Sequence, residues 1–275
     1  MLPAFGARLR TVMDERGPLC VGIDPHPSLL SSWGLGDDAS GLERFALTCV
    51  EALAGRVAVL KPQSAFFERH GAAGIAVLER TVRAARSQAC LVLLDAKRGD
   101  IGSTMQAYAD AYLDSSSPLA VDAVTVSPFL GFGSLVPMID TASACGAGVF
   151  VLALTSNPEG PEVQAARSAN TTVAGALLHK IRAANADATP MGSVGAVVAA
   201  NLPEVHEDLA INGPLLAPGF GAQGGTVESL RRVFADVLHQ VLPSTSREVL
   251  AAGPDVNRLR AAAERSAELV AAALR

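Results

Sequence analysis

Short apolar segments recur along the chain, and eight of them have the length and the Val/Leu content of buried strands. They cover residues 19–23, 57–60, 90–94, 123–126, 149–154, 194–199, 215–217 and 240–242. Most of the intervening segments show the periodicity of helices, most clearly 42–53, 72–86, 106–113, 163–183 and a last helix over 256–274. The pattern therefore predicts a regular alternation of strand and helix.

This alternation predicts an α/β fold with a parallel sheet, and eight repeats favour a closed (β/α)8 TIM barrel over an open doubly wound sheet. The 275 residues are enough for one such barrel, and no shift of composition marks a second domain. Apolar residues make up 49% of the chain, which suits Ala-rich helices packed on Val/Leu strands. We expect a single barrel domain over residues 1–275.

Charge and cysteine content narrow the class of protein. A net charge of −5 gives no basic footprint for nucleic acid. No segment has the uncharged length of a membrane helix, and the first ten residues lack the apolar core of a signal peptide. Four widely spaced cysteines favour reduced thiols over a disulfide framework or a zinc site. We expect a cytoplasmic protein with no metal, nucleic-acid or membrane partner.

Three charges close the third predicted strand, which is otherwise apolar: Asp95, Lys97 and Asp100. Side chains two apart on a strand share a face, so Asp95 and Lys97 should lie together and keep each other ionised. A positioned ammonium group can stabilise a developing carbanion and then donate a proton to it. For an arbitrary Asp-x-Lys a purely structural ion pair is the commoner explanation, so the rest of the chain has to decide.

A barrel places its chemistry on the loops that follow the strands. Polar residues follow five of the predicted strands. They are Asp24, Lys61, the Asp95 cluster, Thr125 with Ser127, and 155–157 with Ser156. Any one of them could cap a helix or start a turn, but their agreement across consecutive strands favours one shared site at the mouth of the barrel.

The segments after the last two strands have the composition of a phosphate site. Residues 218–225 include Gly221, Gly224 and Gly225, and Arg247 follows the eighth strand. Glycines allow backbone N–H groups to approach an anion, while a guanidinium group binds phosphate through two hydrogen bonds. The segment matches neither the dinucleotide nor the P-loop pattern, which disfavours both classes.

Taken together, these segments resemble orotidine 5′-phosphate decarboxylases of the longer bacterial subgroup (type 2), over essentially the whole chain. The matching segments are 22–25 (GIDP), 60–68 (LKPQSAFFE), 95–101 (DAKRGDI), 127–131 (SPFLG), 155–158 (TSNP), 218–225 (PGFGAQGG) and 246–247 (SR). The D-x-K-x-x-D core is shared with related sugar-phosphate barrels. Its combination with the second-strand and Gly-rich segments is highly specific.

The resemblance implies decarboxylation of orotidine 5′-phosphate to uridine 5′-phosphate (UMP) in pyrimidine biosynthesis, without metal or organic cofactor. It implies that Lys61, Asp95, Lys97 and Asp100 form a network of alternating charges, with Lys97 protonating the ring carbon after carbon dioxide leaves. It also implies a homodimer in which Asp100 reaches the neighbouring subunit's site.

The same resemblance assigns the substrate contacts. Asp24 and Lys61 are expected at the ribose hydroxyls, Ser156 at the pyrimidine edge, and Gln223 with Arg247 at the phosphate. Ser127 is expected among the substrate-binding residues.

Two other functions are compatible with such a barrel. A sugar-phosphate lyase or aldolase would use a similar D-x-K-x-x-D to bind a metal ion, and a chelator would abolish its activity. A catalytically silent barrel would bind a uridine nucleotide without turning the substrate over. The Lys61 segment argues against the first, and the presence of both lysines and both aspartates argues against the second.

Overall fold

Eight parallel strands form a closed barrel in the computed structural model of the protein, which describes residues 2–168, 170–222 and 224–274. Each strand pairs with its sequence neighbours, and β1 closes the barrel by pairing with β8. The strands are β1 (Cys20–Ile23), β2 (Val59–Pro62), β3 (Leu91–Arg98), β4 (Ala123–Val126), β5 (Gly148–Leu154), β6 (Val194–Val198), β7 (Leu215–Pro218) and β8 (Val241–Thr245). The predicted (β/α)8 barrel is confirmed.

Twelve α-helices surround or close this barrel within the described residues. They are α1 (Phe5–Arg16), α2 (Pro27–Ser32), α3 (Ala39–Leu53), α4 (Ser64–Glu68), α5 (Gly71–Ser87), α6 (Gly102–Leu113), α7 (Val136–Cys145), α8 (Gly160–Gln164), α9 (Val173–Ala184), α10 (Val227–Phe234), α11 (Arg247–Leu250) and α12 (Val256–Ala273). Two short 3₁₀ helices, Phe132–Leu135 and Ala235–Gln240, precede α7 and β8.

Helix α1 closes the end of the barrel opposite the strand carboxyl ends. Its Phe5, Leu9 and Met13 are buried with the inward-facing side chains of the strands. The ring of Phe5 meets that of Phe150 on β5 edge to face, with centroids 6.0 Å apart. Because apolar side chains fill this end, an open site can form only at the other end.

A second and larger apolar core lies between the strands and the outer helices. It holds the strand residues that alternate with the inward-facing ones, for example Val124 and Val126 on β4. These strands are therefore covered on both faces, which explains their continuously apolar sequence.

The predicted helix over 163–183 is wrong in its first half. Helix α8 ends at Gln164, a short antiparallel pair links Arg167–Ser168 to Thr171–Thr172, and α9 starts afresh at Val173. The Thr172 hydroxyl accepts a hydrogen bond from the N–H of Gly175 at 2.9 Å and so caps α9. The apolar spacing concealed this cap, because threonine also occurs inside helices.

Strand β3 also runs further than predicted, through Arg98, because its end is irregular; this irregularity belongs to the site described below.

Among the described residues, no helix combines the length and apolar character needed to cross a membrane.

Candidate active site

Two adjoining cavities open at the carboxyl ends of the strands. One encloses about 310 Å³ and the other about 200 Å³, and both are lined by Asp95 and Pro218. Ligand pockets commonly measure ~300–1,000 Å³, so together they suit an elongated small molecule. Asp95 lies where the two cavities meet, and it would therefore lie beside the middle of such a molecule.

The polar floor of these cavities follows from the alternation of side chains along the strands. Val59 on β2 and Leu93 on β3 point into the apolar interior of the barrel. Lys61 and Asp95, each two residues further along, therefore face the same interior, one layer closer to the mouth. Thr125 stands in the same relation to its own strand, two residues beyond an inward-facing alanine.

Four donors surround the Asp95 carboxylate. Its Oδ2 accepts hydrogen bonds from Lys61 Nζ at 2.8 Å and from Gln63 Nε2 at 3.1 Å. Its Oδ1 accepts from Lys97 Nζ at 2.5 Å and from Thr125 Oγ1 at 3.0 Å. A carboxylate offers about four lone-pair positions, so these donors occupy its full capacity.

The two lysines hold Asp95 in its ionised form. Burial alone would raise the pKa of this carboxyl group, but the charges of Lys61 and Lys97 and their hydrogen bonds outweigh it and hold the pKa well below its usual value. Burial would likewise lower the pKa of Lys61, yet the nearby Asp95 and Asp24 raise it. The pair is therefore charged at neutral pH.

Lys97 lies on a distorted part of β3. Its φ of +49° is in the left-handed region, which is uncommon for a side chain of this kind, and the pairing of β3 with β4 shifts register between Leu94 and Arg98. The Lys97 side chain is 46% exposed, whereas that of Asp95 is 10% exposed. The ammonium group thus touches a buried carboxylate from the open side of the cavity.

Arg98 anchors the distorted strand end on its outer side. Its guanidinium group forms an ion pair with Glu68, donates to the Tyr112 hydroxyl at 3.2 Å, and lies over the Tyr108 ring at 5.8 Å. The carbonyl of Arg98 accepts a hydrogen bond from the N–H of Ser127 at 2.7 Å.

The larger cavity contains two buried oxygens that have no hydrogen-bond partner among the described residues. They are Asp24 Oδ1 and Thr245 Oγ1. Buried polar atoms are normally paired, so these two are candidates for contact with a ligand. Arg247 lines the same cavity and makes no ion pair with any residue that the structure describes. Ser156 lines the smaller cavity, together with apolar side chains.

Five of the predicted site residues line neither cavity: Asp100, Ser127 and the loop glycines Gly221, Gly224 and Gly225. Asp100 is partly exposed beyond the end of β3, and its Oδ1 accepts a hydrogen bond from the N–H of Ile101. Ser127 pairs through its backbone with Arg98, as described above. Gln223, predicted at the phosphate, lies outside the described residues.

The Gly-rich loop is closed on itself in this structure. The N–H of Gly221 donates to the carbonyl of Gly225, the N–H of Gly224 to that of Gly221, and the N–H of Gly225 to that of Gly219. Gly221 and Gly224 have φ values of +80° and +91°, which explains why glycine is needed there. The three N–H groups are thus used inside the loop, whereas the Arg247 side chain lines the larger cavity.

Sequence reasoning placed Thr125 at the mouth of the barrel without giving it a role, and it missed the roles of Gln63 and Thr245. The signal for Thr125 was present, since it is the one hydroxyl in an otherwise apolar buried strand. Gln63 forms an isolated bridge with Asp95 just beyond β2, and strand periodicity alone did not indicate that pairing.

Comparison with known proteins shows which family this chain belongs to. Residues 17–262 match the model of the family described as orotidine 5′-phosphate decarboxylase / HUMPS. The chain is 65% identical over 266 residues to a protein named orotidine 5′-phosphate decarboxylase from Salinispora arenicola, a match that covers 96% of each chain. It is 62% identical over 265 residues to a protein of the same name from Streptomyces coelicolor, covering 96% of this chain and 95% of the relative.

The fold comparison gives the same result. A crystal structure of a protein described as an orotidine 5′-phosphate decarboxylase from Streptomyces avermitilis superimposes with a TM-score of 0.97 at 59% identity, covering 99% of this chain and 96% of the other. A Leishmania donovani structure described as OMP decarboxylase superimposes with a TM-score of 0.76 at 28% identity, covering 98% of this chain and 99% of the other.

Proposed function

The chain belongs to the orotidine 5′-phosphate decarboxylase / HUMPS family, and on that premise we propose that it converts orotidine 5′-phosphate to UMP and carbon dioxide in pyrimidine biosynthesis. The observation that carries this proposal is the array of Lys61, Asp95 and Lys97 at the junction of two cavities. The enzyme is a carboxy-lyase, and protein side chains alone supply the charge and the proton that the reaction needs.

The two cavities suggest how the substrate lies. Its phosphate would enter the larger cavity toward Arg247, where a guanidinium group can form paired hydrogen bonds with it. The ribose hydroxyls would lie beside Asp24, whose buried Oδ1 needs a donor, and beside Lys61. The pyrimidine ring would occupy the smaller and more apolar cavity, with Ser156 at its edge.

This orientation places the ring carbon that bears the carboxylate near Lys97 and Asp95. The bond from that carbon to the carboxylate breaks, its electron pair remains on the ring, and carbon dioxide leaves. Lys97 Nζ stabilises this charge and then donates a proton to the ring carbon, so that the lysine is left neutral until it is reprotonated.

Asp95 contributes through charge rather than by proton transfer. Its four hydrogen bonds and its lowered pKa keep it a carboxylate, and no lone pair remains for a substrate group. A substrate carboxylate bound beside it would be repelled, and the repulsion would disappear as carbon dioxide forms. Contacts at the remote phosphate would provide the binding energy for this arrangement.

The test is the loss of orotidine 5′-phosphate absorbance with purified protein, with and without a chelator, beside Lys97→Ala. We expect chelator-resistant turnover that falls at least roughly 10³-fold in the variant, because one side chain supplies both the charge and the proton. Turnover that a chelator abolishes would indicate a metal-dependent lyase instead. UMP binding by folded wild-type protein without turnover would indicate a silent barrel.

We also propose that the enzyme is a homodimer and that Asp100 completes the neighbouring subunit's site. Within its own chain Asp100 lies outside both cavities, as described above. The loops after β3 and β4 meet and expose three large apolar side chains: Ile101 at 62%, Phe129 at 76% and Leu130 at 52%. An apolar patch of this kind favours association, and a two-fold dimer would pair it with its own copy.

Mixing two inactive variants tests the shared site. In a dimer of one Lys97→Ala chain and one Asp100→Asn chain, one of the two sites has both native residues. Random mixing should therefore restore about one quarter of the wild-type activity, since half of the dimers are mixed and half of their sites are intact. No recovery from subunits shown to exchange would place Asp100 in its own chain's site.

The four cysteines are free thiols, three of them buried and one partly buried, which supports a reducing compartment and our assignment of the enzyme to the cytoplasm.

A further inference from the structure

We infer that Thr125 is a positioning residue for the proposed reaction: its hydroxyl joins the backbone of Lys97 to the carboxylate of Asp95 and so fixes the proton donor. This inference rests on the proposed function. It adds to the charged network an uncharged residue from a neighbouring strand.

The hydroxyl of Thr125 has two partners, one to which it donates a hydrogen bond and one from which it accepts one. It donates to Asp95 Oδ1 at 3.0 Å and accepts from the N–H of Lys97 at 3.0 Å. The same Asp95 oxygen accepts from Lys97 Nζ at 2.5 Å. The backbone of Lys97, the hydroxyl, the carboxylate and the ammonium group therefore form a closed ring of contacts, and Thr125 links the two ends of Lys97.

The backbone of Lys97 needs such a link. Its φ of +49° lies in a region that residues other than glycine rarely adopt. Lys97 also lies where the pairing of β3 with β4 loses its regular register. A strained residue keeps its conformation only where its surroundings hold it. The Thr125 hydroxyl binds the N–H of this same residue from the adjacent strand.

The position of Thr125 in the strand gives no packing reason for a hydroxyl. Thr125 is 1% exposed, and its neighbours on β4 are alanine and valine. Burying a hydroxyl is unfavourable unless it is hydrogen-bonded, and valine would fill nearly the same volume. Gln63 holds the other carboxylate oxygen, so Thr125 and Gln63 between them also prevent Asp95 from rotating.

Two substitutions separate the hydroxyl from the shape of the side chain. Thr125→Val removes the hydroxyl and keeps the volume, whereas Thr125→Ser keeps the hydroxyl and removes a methyl group. We expect Thr125→Val to lower kcat by roughly 10- to 100-fold, because displacement of a catalytic group by about 1 Å has an effect of this size. KM and the Kd for UMP should change by less than about threefold, and Thr125→Ser should recover most of kcat.

Thr81→Val is the matched control. Thr81 is also fully buried, and its hydroxyl donates to the carbonyl of Val77 inside α5, away from both cavities. The same chemical change there should leave kcat at the wild-type value. Thermal unfolding of the three variants should show that each remains folded at the assay temperature.

A crystal structure of Thr125→Val gives a readout that does not depend on turnover. We expect Lys97 Nζ to move away from Asp95 Oδ1 and the backbone of Lys97 to relax from its positive φ. An unchanged kcat in Thr125→Val, an equal loss in Thr125→Ser, or an unmoved Lys97 would each overturn the inference. Absence of turnover in wild-type protein would instead overturn the proposed function, while the crystal structure would still test the positioning.

Discussion

Replacing Asp95 with Asn tests how much the array of Lys61, Asp95 and Lys97 contributes to the free energy of unfolding. The substitution keeps the shape of the side chain and removes its charge. An amide has one oxygen with two lone pairs, so it can satisfy at most two of the four donors that now surround Asp95. Lys61, which is 5% exposed, then becomes a buried cation that has lost its carboxylate partner.

The expected destabilisation follows from these contacts. Removing one partner of a buried ion pair typically costs about 3–5 kcal/mol. Lys61 keeps the attraction of Asp24, and Lys97 can turn toward solvent, so we expect a value near 3 kcal/mol. A protein of this size should then lose roughly 6–12 °C in Tm.

Urea unfolding at pH 7 of the wild type, Asp95→Asn, Lys61→Met and the double variant measures the effect. In the double variant no buried charge of the pair is left alone, so its destabilisation should fall short of the sum of the singles by at least about 1 kcal/mol. A loss below about 1 kcal/mol in Asp95→Asn, or simple additivity, would refute the reasoning.

The pH dependence of the difference in unfolding free energy between the wild type and Asp95→Asn is a second check. The pKa of Asp95 is lowered by folding, so its contribution is present above the unfolded value of about 3.9 and is lost as the pH falls through the folded pKa. The pKa of Lys61 is raised, so its contribution is present below about 10.4 and is lost as the pH rises through the folded pKa. The difference between wild type and Asp95→Asn should therefore be constant from about pH 5 to 9.

Three further predictions address other parts of the molecule. Arg247→Ala should weaken UMP binding by about 10- to 100-fold and leave uridine binding unchanged in calorimetry, because it removes a charged hydrogen-bond donor to phosphate; an equal effect on both ligands would contradict this role. Burial raises the pKa of Cys20 to about 12, so at pH 8 a thiol reagent should label it only after unfolding, and its rapid modification in the native protein would contradict the buried position. Phe129→Lys should convert the proposed dimer to monomer in sedimentation velocity, and an intact dimer would move the interface elsewhere.

The sequence predicted the barrel, and it also predicted several of the charged residues that line the candidate site, because both follow from alternation along strands. Lys61 and Asp95 stand two residues beyond buried, inward-facing side chains, which is a local pattern that can be read without a structure. The prediction of one helix over 163–183 was wrong because apolar spacing alone does not reveal a threonine cap in the middle of that segment.

The geometry around Lys97 could not be predicted in the same way. Strict alternation brings Lys97 to the face of Asp95 but gives no reason for a positive φ or a shift of register. Gln63 and Thr125 reach Asp95 from two other strands, and which residues of neighbouring strands lie opposite one another depends on the stagger of the barrel. Local patterns therefore identified the charges and placed Thr125 near them, but they did not indicate that Gln63 and Thr125 bind Asp95.

These neutral groups decide what Asp95 can do. A carboxylate between two lysines alone would have lone pairs free to bind a substrate hydroxyl or to accept a proton from solvent. With Gln63 and Thr125 also bound, Asp95 has neither option and remains a fixed negative charge between two ammonium groups. Proton transfer at this site therefore falls to Lys97, the one member of the array that is substantially open to the cavity.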